Sequence, residues 1–173
     1  QSSHNNTTPY YYNDMCPGGA VTGCVATAMA QIMKYWQYPN SGQGTNCYYD
    51  GKPFFTENYG ELCATFDTSQ YIWSAMPNKI TSPNAQMAKL MYDCGVSVDM
   101  DYSPTLSGAY TLTQKIGSYT VPSAQTAYVK YFNYNPSTIQ GVLEANYTPT
   151  TWLTLIENEL TNKRPVQYQG FDT

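Results

Sequence analysis

Residues 23 to 37 carry the most regular pattern in the chain. Apolar residues recur there at helical spacing, namely Val25, Met29, Ile32, Met33 and Trp36. Alanines placed between them raise the helix propensity further. Thr22 is expected to cap the start of this helix and Pro39 to end it. The sequence therefore predicts a helix over 23–37.

Cys24 stands at the start of that helix, directly after Gly23. Backbone N–H groups and the helix dipole at this end favour a thiolate. The amide of Cys24 can also donate to an oxyanion that forms beside the sulfur, and the glycine leaves the approach to the sulfur uncrowded. Position alone leaves two other interpretations open, a small buried residue at a helix start or one half of a disulfide.

Weaker patterns predict three further helices and two short strands. One helix follows Ser82–Pro83 and carries an apolar stripe, with Gly95 expected as its left-handed cap. The other predicted elements are helices at 123–132 and 149–160 and strands at 96–100 and 165–169. The stretches 40–80 and 103–122 lack a sustained period and are expected to be loops. The sequence indicates one domain without internal repeats.

The composition excludes several classes of function. Only 12% of the 173 residues are charged, and the net charge is -4. With so few basic residues the sequence has no basic surface for nucleic acid and no polybasic patch for a membrane surface. It also contains no apolar run long enough to span a bilayer. The abundance of Tyr, Asn, Thr and Ser is typical of an extracellular protein.

An odd number of cysteines leaves at least one thiol without a partner in the chain. The five are Cys16, Cys24, Cys47, Cys63 and Cys94. Sequence does not fix the connectivity, and Cys47 with Cys63 is one available pair. Cys94 lies on an apolar helical stripe and is expected to be buried and inert. With no C-x-x-C spacing and a single histidine, His4, no metal site is expected.

The run T-G-C-V-A-T-A-M-A-Q-I-M-K-Y at 22–35 closely resembles the active-site helix of the streptopain family of secreted bacterial cysteine peptidases. Residues 164–170 are similar to the strand that leads into the family's Gly-Gly-His segment. Other similar segments lie at 71–77 and 98–102. The resemblance extends from about residue 9 to residue 170, with an insertion near 110–122.

This resemblance implies a papain-like α+β fold. In that fold a helical half carries the cysteine, a barrel half carries the histidine, and substrate lies between them. Residues 1–173 would form an incomplete peptidase domain, consisting of the helical half and the first strand of the barrel at 165–169. The family's histidine would follow shortly after Thr173, so the chain is expected to be cut within its fold. Gln1 is expected to be a processed or trimmed end.

The resemblance also implies roles for individual residues. Cys24 would be the nucleophile, and Gln1 would donate its side-chain amide to the oxyanion unless it is simply a terminal residue. Ser107 and Gly108 resemble a loop whose backbone binds extended peptide, the alternative being an ordinary surface turn. His4 is not expected to act as the catalytic base, because it lies in a polar N-terminal stretch.

The predicted function is therefore that of a secreted cysteine endopeptidase, made as an inhibited precursor, which cleaves protein or peptide substrates through an acyl-enzyme. No cofactor is expected. The expected partner is a C-terminal fragment of the same precursor that carries the histidine, without which the chain would be inactive. Two rival functions are an inactive homologue that acts as a binding or inhibitory module, and a tyrosine-rich adhesin in which Cys24 is structural.

Overall fold

A computed structural model describes residues 12–170, in which a cluster of helices is flanked by two small hairpins. The helices are α1 (Cys24–Trp36), α2 (Ala85–Val96), α3 (Ala124–Phe132) and α4 (Pro149–Thr161). The strands are β1 (Thr45–Asp50), β2 (Gly60–Thr65), β3 (Gln114–Ile116) and β4 (Tyr119–Val121). Short 3-10 helices lie at Pro17–Gly19, Phe66–Thr68, Trp73–Ala75 and Glu144–Asn146. Both hairpins are antiparallel, β1 with β2 and β3 with β4.

Helix α1 lies at the centre of the core, as its apolar pattern predicts. It packs against α2 and α3 through one buried face. The buried residues of that face are Val25, Ala26, Met29, Ala30 and Met33. The predicted cap is wrong by one residue, since Gly23 and not Thr22 precedes the first turn. Thr22 is buried, and its hydroxyl lies 4.0 Å from the thiol of Cys16.

Helices α2 and α3 confirm two predicted helices, and each begins at a side-chain cap. Asn84 accepts a 2.9 Å hydrogen bond from the first turn of α2, and Ser123 and Thr126 cap α3 reciprocally. Gly95 is not the left-handed cap that was predicted, because it lies inside α2. A β-carbon there would collide with the hydroxyl of buried Tyr102. A small residue is needed at this position for packing rather than for helix termination.

Helix α4 forms where predicted but buries none of its residues. Its C-terminal end is tethered to α1 by the Tyr35 hydroxyl, which donates to the carbonyl of Lys163 at 2.9 Å. None of the helices between residues 12 and 170 has the length and apolar character needed to cross a membrane.

Both predicted strands are wrong. Val96 ends α2 and the chain then turns, with Asp99 in a left-handed conformation at φ 48°. Residues 165–169 are irregular, because no strand in the described part of the chain lies alongside to form a ladder with them. Conversely, the two hairpins lie within 40–80 and 103–122, where loops were expected.

A disulfide joins β1 to β2. Cys47 and Cys63 lie opposite each other in the strand register and are bonded, which resolves the pairing that the sequence left open. Both residues are exposed. A crosslink with this sequence separation of 16 stabilises a fold by about 3 kcal/mol, mainly by restricting the unfolded chain.

Polar side chains of β1 hold the hairpin against the turn that follows α2. Asn46 donates to the carbonyl of Val96 and to the carboxylate of Asp99, both at 2.8 Å. Tyr48 donates to the carbonyl of Met100 at 2.6 Å. These bonds fix the position of Met100, whose fully buried side chain packs beside the start of α1.

Asp50, the last residue of β1, is a buried carboxylate with few partners. One oxygen accepts from the Tyr102 N–H at 3.4 Å, and the other has no partner among the described residues. Burial raises the pKa of Asp50 from its ordinary 3.8 to about 6, and the nearby carboxylates of Asp101 and Glu57 act in the same direction. The ionised form of Asp50 therefore destabilises the fold.

We expect Asp50→Asn to raise the free energy of unfolding by roughly 1–3 kcal/mol near pH 8. The pKa of Asp50 is higher in the folded chain than in the unfolded one, so the penalty is complete well above pH 6 and fades as the pH falls towards 4. Urea denaturation at several pH values measures this difference.

The matched control is Asp93→Asn. Asp93 is equally buried but is paired with Lys89 and the Tyr71 hydroxyl, so its replacement should destabilise the chain at the same pH. An Asp50→Asn variant no more stable than the wild type near pH 8 would contradict the prediction.

Candidate active site

Cys24 is the first residue of α1, and its thiol is free and exposed. No side chain in the described part of the chain caps this helix. The N–H groups of the first turn are therefore left to point out of the helix end beside the sulfur. Such an end can bind an oxygen that becomes negatively charged.

Gly23 sets the backbone direction by which the chain enters α1 at Cys24. Its φ is 87°, a value that L side chains rarely adopt. A β-carbon there would lie 2.7 Å from Met100 Sδ and 3.1 Å from the Ser107 carbonyl oxygen. Glycine is thus required both for its backbone conformation and for the close approach of two other segments, a reason that the motif alone did not reveal.

The segment before Gly23 is held by hydrogen bonds from nearby Asn13 and from the distant residues Ser103 and Ser107. Asn13 donates its side-chain amide to the Ala20 carbonyl at 3.1 Å. Val21 donates its N–H to the Ser103 carbonyl at 3.1 Å and accepts from the Ser107 hydroxyl at 2.6 Å. Sequence reasoning missed Ser103, because its contact with Val21 joins segments far apart in the chain. It also missed Asn13, whose contact with Ala20 spans 7 residues but follows no motif that the sequence shows.

The structure places the Ser107–Gly108 loop directly against the residue that precedes Cys24. The Ser107 side chain is buried and used internally, since it also accepts from the Ser103 N–H at 2.9 Å. Gly108 is exposed, with open space where a side chain would be, but its N–H and carbonyl are both bonded to Asp101. Its backbone groups are therefore not available to a ligand. Gly108 can contribute to a binding site only by leaving space that a side chain would otherwise fill.

The other cysteines differ from Cys24 in chemistry. Burial raises the pKa of the Cys16 thiol to about 11, and it raises the pKa of Cys94 well above the ordinary value. Cys94 is fully buried, with its sulfur 3.7 Å from Met33 Sδ, as predicted for an inert core residue. With Cys47 and Cys63 in the disulfide, Cys24 is the exposed thiol of residues 12–170.

The last described segment runs back along α1 towards Cys24. Lys163 is bonded to Tyr35 in the final turn of α1, whereas four residues later Gln167 donates to the Val25 carbonyl at 3.4 Å. The Tyr128 hydroxyl in turn donates to Gln167 at 3.3 Å. The chain therefore passes from the C-terminal to the N-terminal end of α1 over residues 163–167.

Gln1 and His4, two residues named by the sequence analysis, lie outside the described residues. His4 is the only histidine of the sequence, so the described part contains no imidazole to pair with Cys24. Between residues 12 and 170 no group of three His, Cys, Asp or Glu side chains could hold a metal ion.

Comparison with known sequences gives consistent matches. The model of the Peptidase C10 family matches residues 5–173. Streptopain of Streptococcus pyogenes is 37% identical over 158 residues, which cover 87% of this chain and 37% of the relative. A thiol protease/hemagglutinin of Porphyromonas gingivalis is 31% identical over 165 residues, or 91% of this chain and 17% of the relative. The chain thus spans little more than a third of the streptopain sequence that it matches.

Two solved structures share the fold. Active wild-type interpain A cysteine protease of Prevotella intermedia superposes with a TM-score of 0.70 at 28% identity, over 88% of this chain and 61% of that one. A prointerpain A fragment gives a TM-score of 0.71 at 27% identity, over 87% and 47% of the two chains. The predicted papain-like α+β fold is confirmed.

Proposed function

This chain belongs to the Peptidase C10 family, and from that membership we propose that it is the nucleophile-bearing part of a secreted cysteine endopeptidase. The observation that carries the proposal is the free, exposed thiol of Cys24 at an uncapped helix start, within the stretch that the family model matches. Streptopain and interpain A, the relatives with similar sequence and fold, are themselves peptidases.

The proposed reaction is acyl transfer. The Cys24 thiolate attacks the scissile carbonyl carbon and forms a C–S bond, while the carbonyl oxygen becomes an oxyanion near the Cys24 N–H. A histidine protonates the leaving amine as the C–N bond breaks, and a thioester remains. Water, deprotonated by the same histidine, then hydrolyses the thioester and frees the thiol.

We propose that this histidine belongs to a C-terminal segment of the same precursor. The course of residues 163–167 supports this origin, since the chain passes from Tyr35 to Val25 and is heading for Cys24 when it reaches Gln167. Residues further along that path would approach the thiol. The remaining strands of the barrel would belong to the same segment and would pair with residues 165–169.

Two supporting roles complete the proposal. Gln1 would donate a second hydrogen bond to the oxyanion. The loop at Ser107–Gly108 would border the extended substrate, because it touches Gly23 and leaves open space above Gly108. Since the backbone groups of Gly108 are bonded to Asp101, neighbouring backbone groups would bind the peptide.

Secretion is supported by the exposed Cys47–Cys63 disulfide, because such crosslinks persist in oxidising compartments and are rare in the cytosol. A longer, inhibited precursor agrees with the length of the relatives and with the pro-form in which interpain A was also solved.

Alkylation of the assembled protein, with the histidine segment present, tests the proposal. We expect iodoacetamide to add one group per molecule, at Cys24, because Cys16 and Cys94 are buried and the other two cysteines are bonded. A peptidyl epoxide, which requires a peptide-binding cleft as well as a thiol, should label the same residue.

Mass spectrometry of the digested adduct locates each label. Preferential modification of Cys16 or Cys94 would refute the assignment of the nucleophile. Labelling by iodoacetamide but not by any of a panel of peptidyl epoxides would favour the binding-module rival instead.

A further inference from the structure

The carbonyl of Gly23 accepts two hydrogen bonds from a single residue. The Thr27 hydroxyl donates to it at 2.8 Å, and the Thr27 N–H donates at 3.1 Å. The N–H bond is the ordinary first bond of the helix. The hydroxyl bond is additional, and the mechanism proposed above does not use it.

This carbonyl belongs to the same peptide group as the Cys24 N–H. A peptide unit is planar, and in the trans form its C=O and N–H point in opposite directions. A bond that holds the Gly23 oxygen towards the helix therefore also aims the Cys24 N–H out of the helix end. No described side chain caps that end, so the N–H remains available to a ligand.

Gly23 gives a second restraint on this peptide a purpose, in addition to the helix bond from the Thr27 N–H. Glycine has the widest range of backbone conformations, so the peptide that follows it can rotate more easily than one that follows any other residue. The close contacts of Gly23 with Met100 and Ser107 restrict its α-carbon, but they do not fix the plane of the next peptide. The Thr27 hydroxyl acts on that plane directly.

We infer that Thr27 is a positioning residue that orients the Cys24 N–H towards the oxyanion. The inference rests on the proposed function, because it presupposes that an oxyanion forms beside Cys24. It assigns to Thr27 an effect on the tetrahedral intermediate and none on the reactivity of the thiol itself.

The test compares Thr27→Val, which keeps the shape and removes the hydroxyl, with Thr27→Ser, which keeps the hydroxyl. Both are made in the assembled enzyme with its histidine segment. For Thr27→Val we expect kcat for peptide hydrolysis to fall about tenfold with KM little changed, and a peptide aldehyde, whose adduct places an oxygen in the oxyanion position, to bind about tenfold more weakly. Thr27→Ser should recover most of both losses.

Two measurements separate this effect from general damage. The rate at which iodoacetamide alkylates Cys24 across pH should stay within about twofold in both variants, because alkylation forms no oxyanion. Thr126→Val is the stability control, since the Thr126 hydroxyl also bonds the backbone before its helix, donating to the Ser123 carbonyl at 3.0 Å and accepting from the Ser123 N–H at 3.2 Å at the start of α3. It should lower the melting temperature as Thr27→Val does, without changing kcat.

The inference is overturned if Thr27→Val leaves kcat and aldehyde affinity unchanged, or if alkylation slows in parallel with hydrolysis. It is equally overturned if Thr27→Val fails to fold while Thr126→Val folds, because Thr27 would then be a structural residue. A wild-type enzyme that is not alkylated at Cys24, or that cleaves no peptide, refutes the proposed function instead. In that case the amide ¹⁵N–¹H signal of Cys24 still tests the restraint, and it should move in Thr27→Val but not in Thr27→Ser.

Discussion

Residues 1–173 alone should hydrolyse peptides no faster than the uncatalysed background, and addition of a fragment that carries the downstream histidine should raise the rate at least about 10³-fold. The physical reason is that a thiol needs a base within hydrogen-bond reach, and residues 12–170 contain no histidine. The same fragment should raise the melting temperature, since it would give residues 165–169 a strand to pair with.

The measurement is hydrolysis of a fluorogenic peptide panel by the chain, by the fragment and by their mixture. Cys24→Ser in the chain should return the mixture to background. Cys94→Ala is the matched control, because it removes a fully buried thiol that packs against Met33 and should cost stability but not activity. Full activity from residues 1–173 by themselves would refute the proposal that the catalytic histidine lies on a downstream segment, and would require a different base.

Gly23→Ala should destabilise the chain by about 3 kcal/mol or more, a large effect for the addition of one methyl group. Part of this cost is conformational, because φ 87° with ψ 146° is a combination that essentially only glycine adopts, and an L residue held there is strained by about 1–3 kcal/mol. The rest is steric, because the new β-carbon meets Met100 Sδ at 2.7 Å and the Ser107 carbonyl at 3.1 Å. Relief of these contacts would displace Cys24, so peptide hydrolysis by the mixture of the chain and the histidine fragment should fall together with stability.

Gly44→Ala separates the two costs. Gly44 has a similar φ of 69° but no atom within 4 Å of the added β-carbon, so this variant should lose only the conformational part. Urea denaturation of both variants gives the comparison. An equal loss in the free energy of unfolding for Gly23→Ala and Gly44→Ala would contradict a steric cost from the contacts with Met100 and Ser107.

The helices could be predicted because their signals are local. The apolar period of 24–36 is complete within the element, and Pro149 marks the start of α4 in the sequence itself. Burial alternates along both strands of the β1–β2 hairpin, but the inward positions of β1 are Asn46, Tyr48 and Asp50, so the sequence of β1 shows no apolar alternation. The hairpin therefore escaped prediction, and the pairing of Cys47 with Cys63, 16 residues away, is visible only in the folded chain. Strand order and register are set by such distant contacts.

The candidate site divides in the same way. Cys24 was found from its helix start and its surrounding motif, both of which are local. Thr27 could have been found as well, since a threonine four residues after a helix cap can donate back to the cap carbonyl. Ser103 and Met100 could not, because only the folded chain brings them beside Val21 and Gly23.

The surface of this chain carries both a reduced sulfur, the thiol of Cys24, and an oxidised pair, the Cys47–Cys63 disulfide. As the proposed nucleophile, Cys24 would work only when reduced, because an oxidant converts an exposed thiolate to a sulfenic acid or a mixed disulfide. The exposed Cys47–Cys63 bond, in contrast, is open to attack by any thiol added to protect Cys24. Loss of that bond loosens the strand whose Tyr48 holds Met100 in place. A reductant must therefore be strong enough to keep Cys24 reduced and weak enough to leave the Cys47–Cys63 disulfide intact. A strong dithiol would restore the thiol of Cys24 but would also break the disulfide of the hairpin that holds Met100.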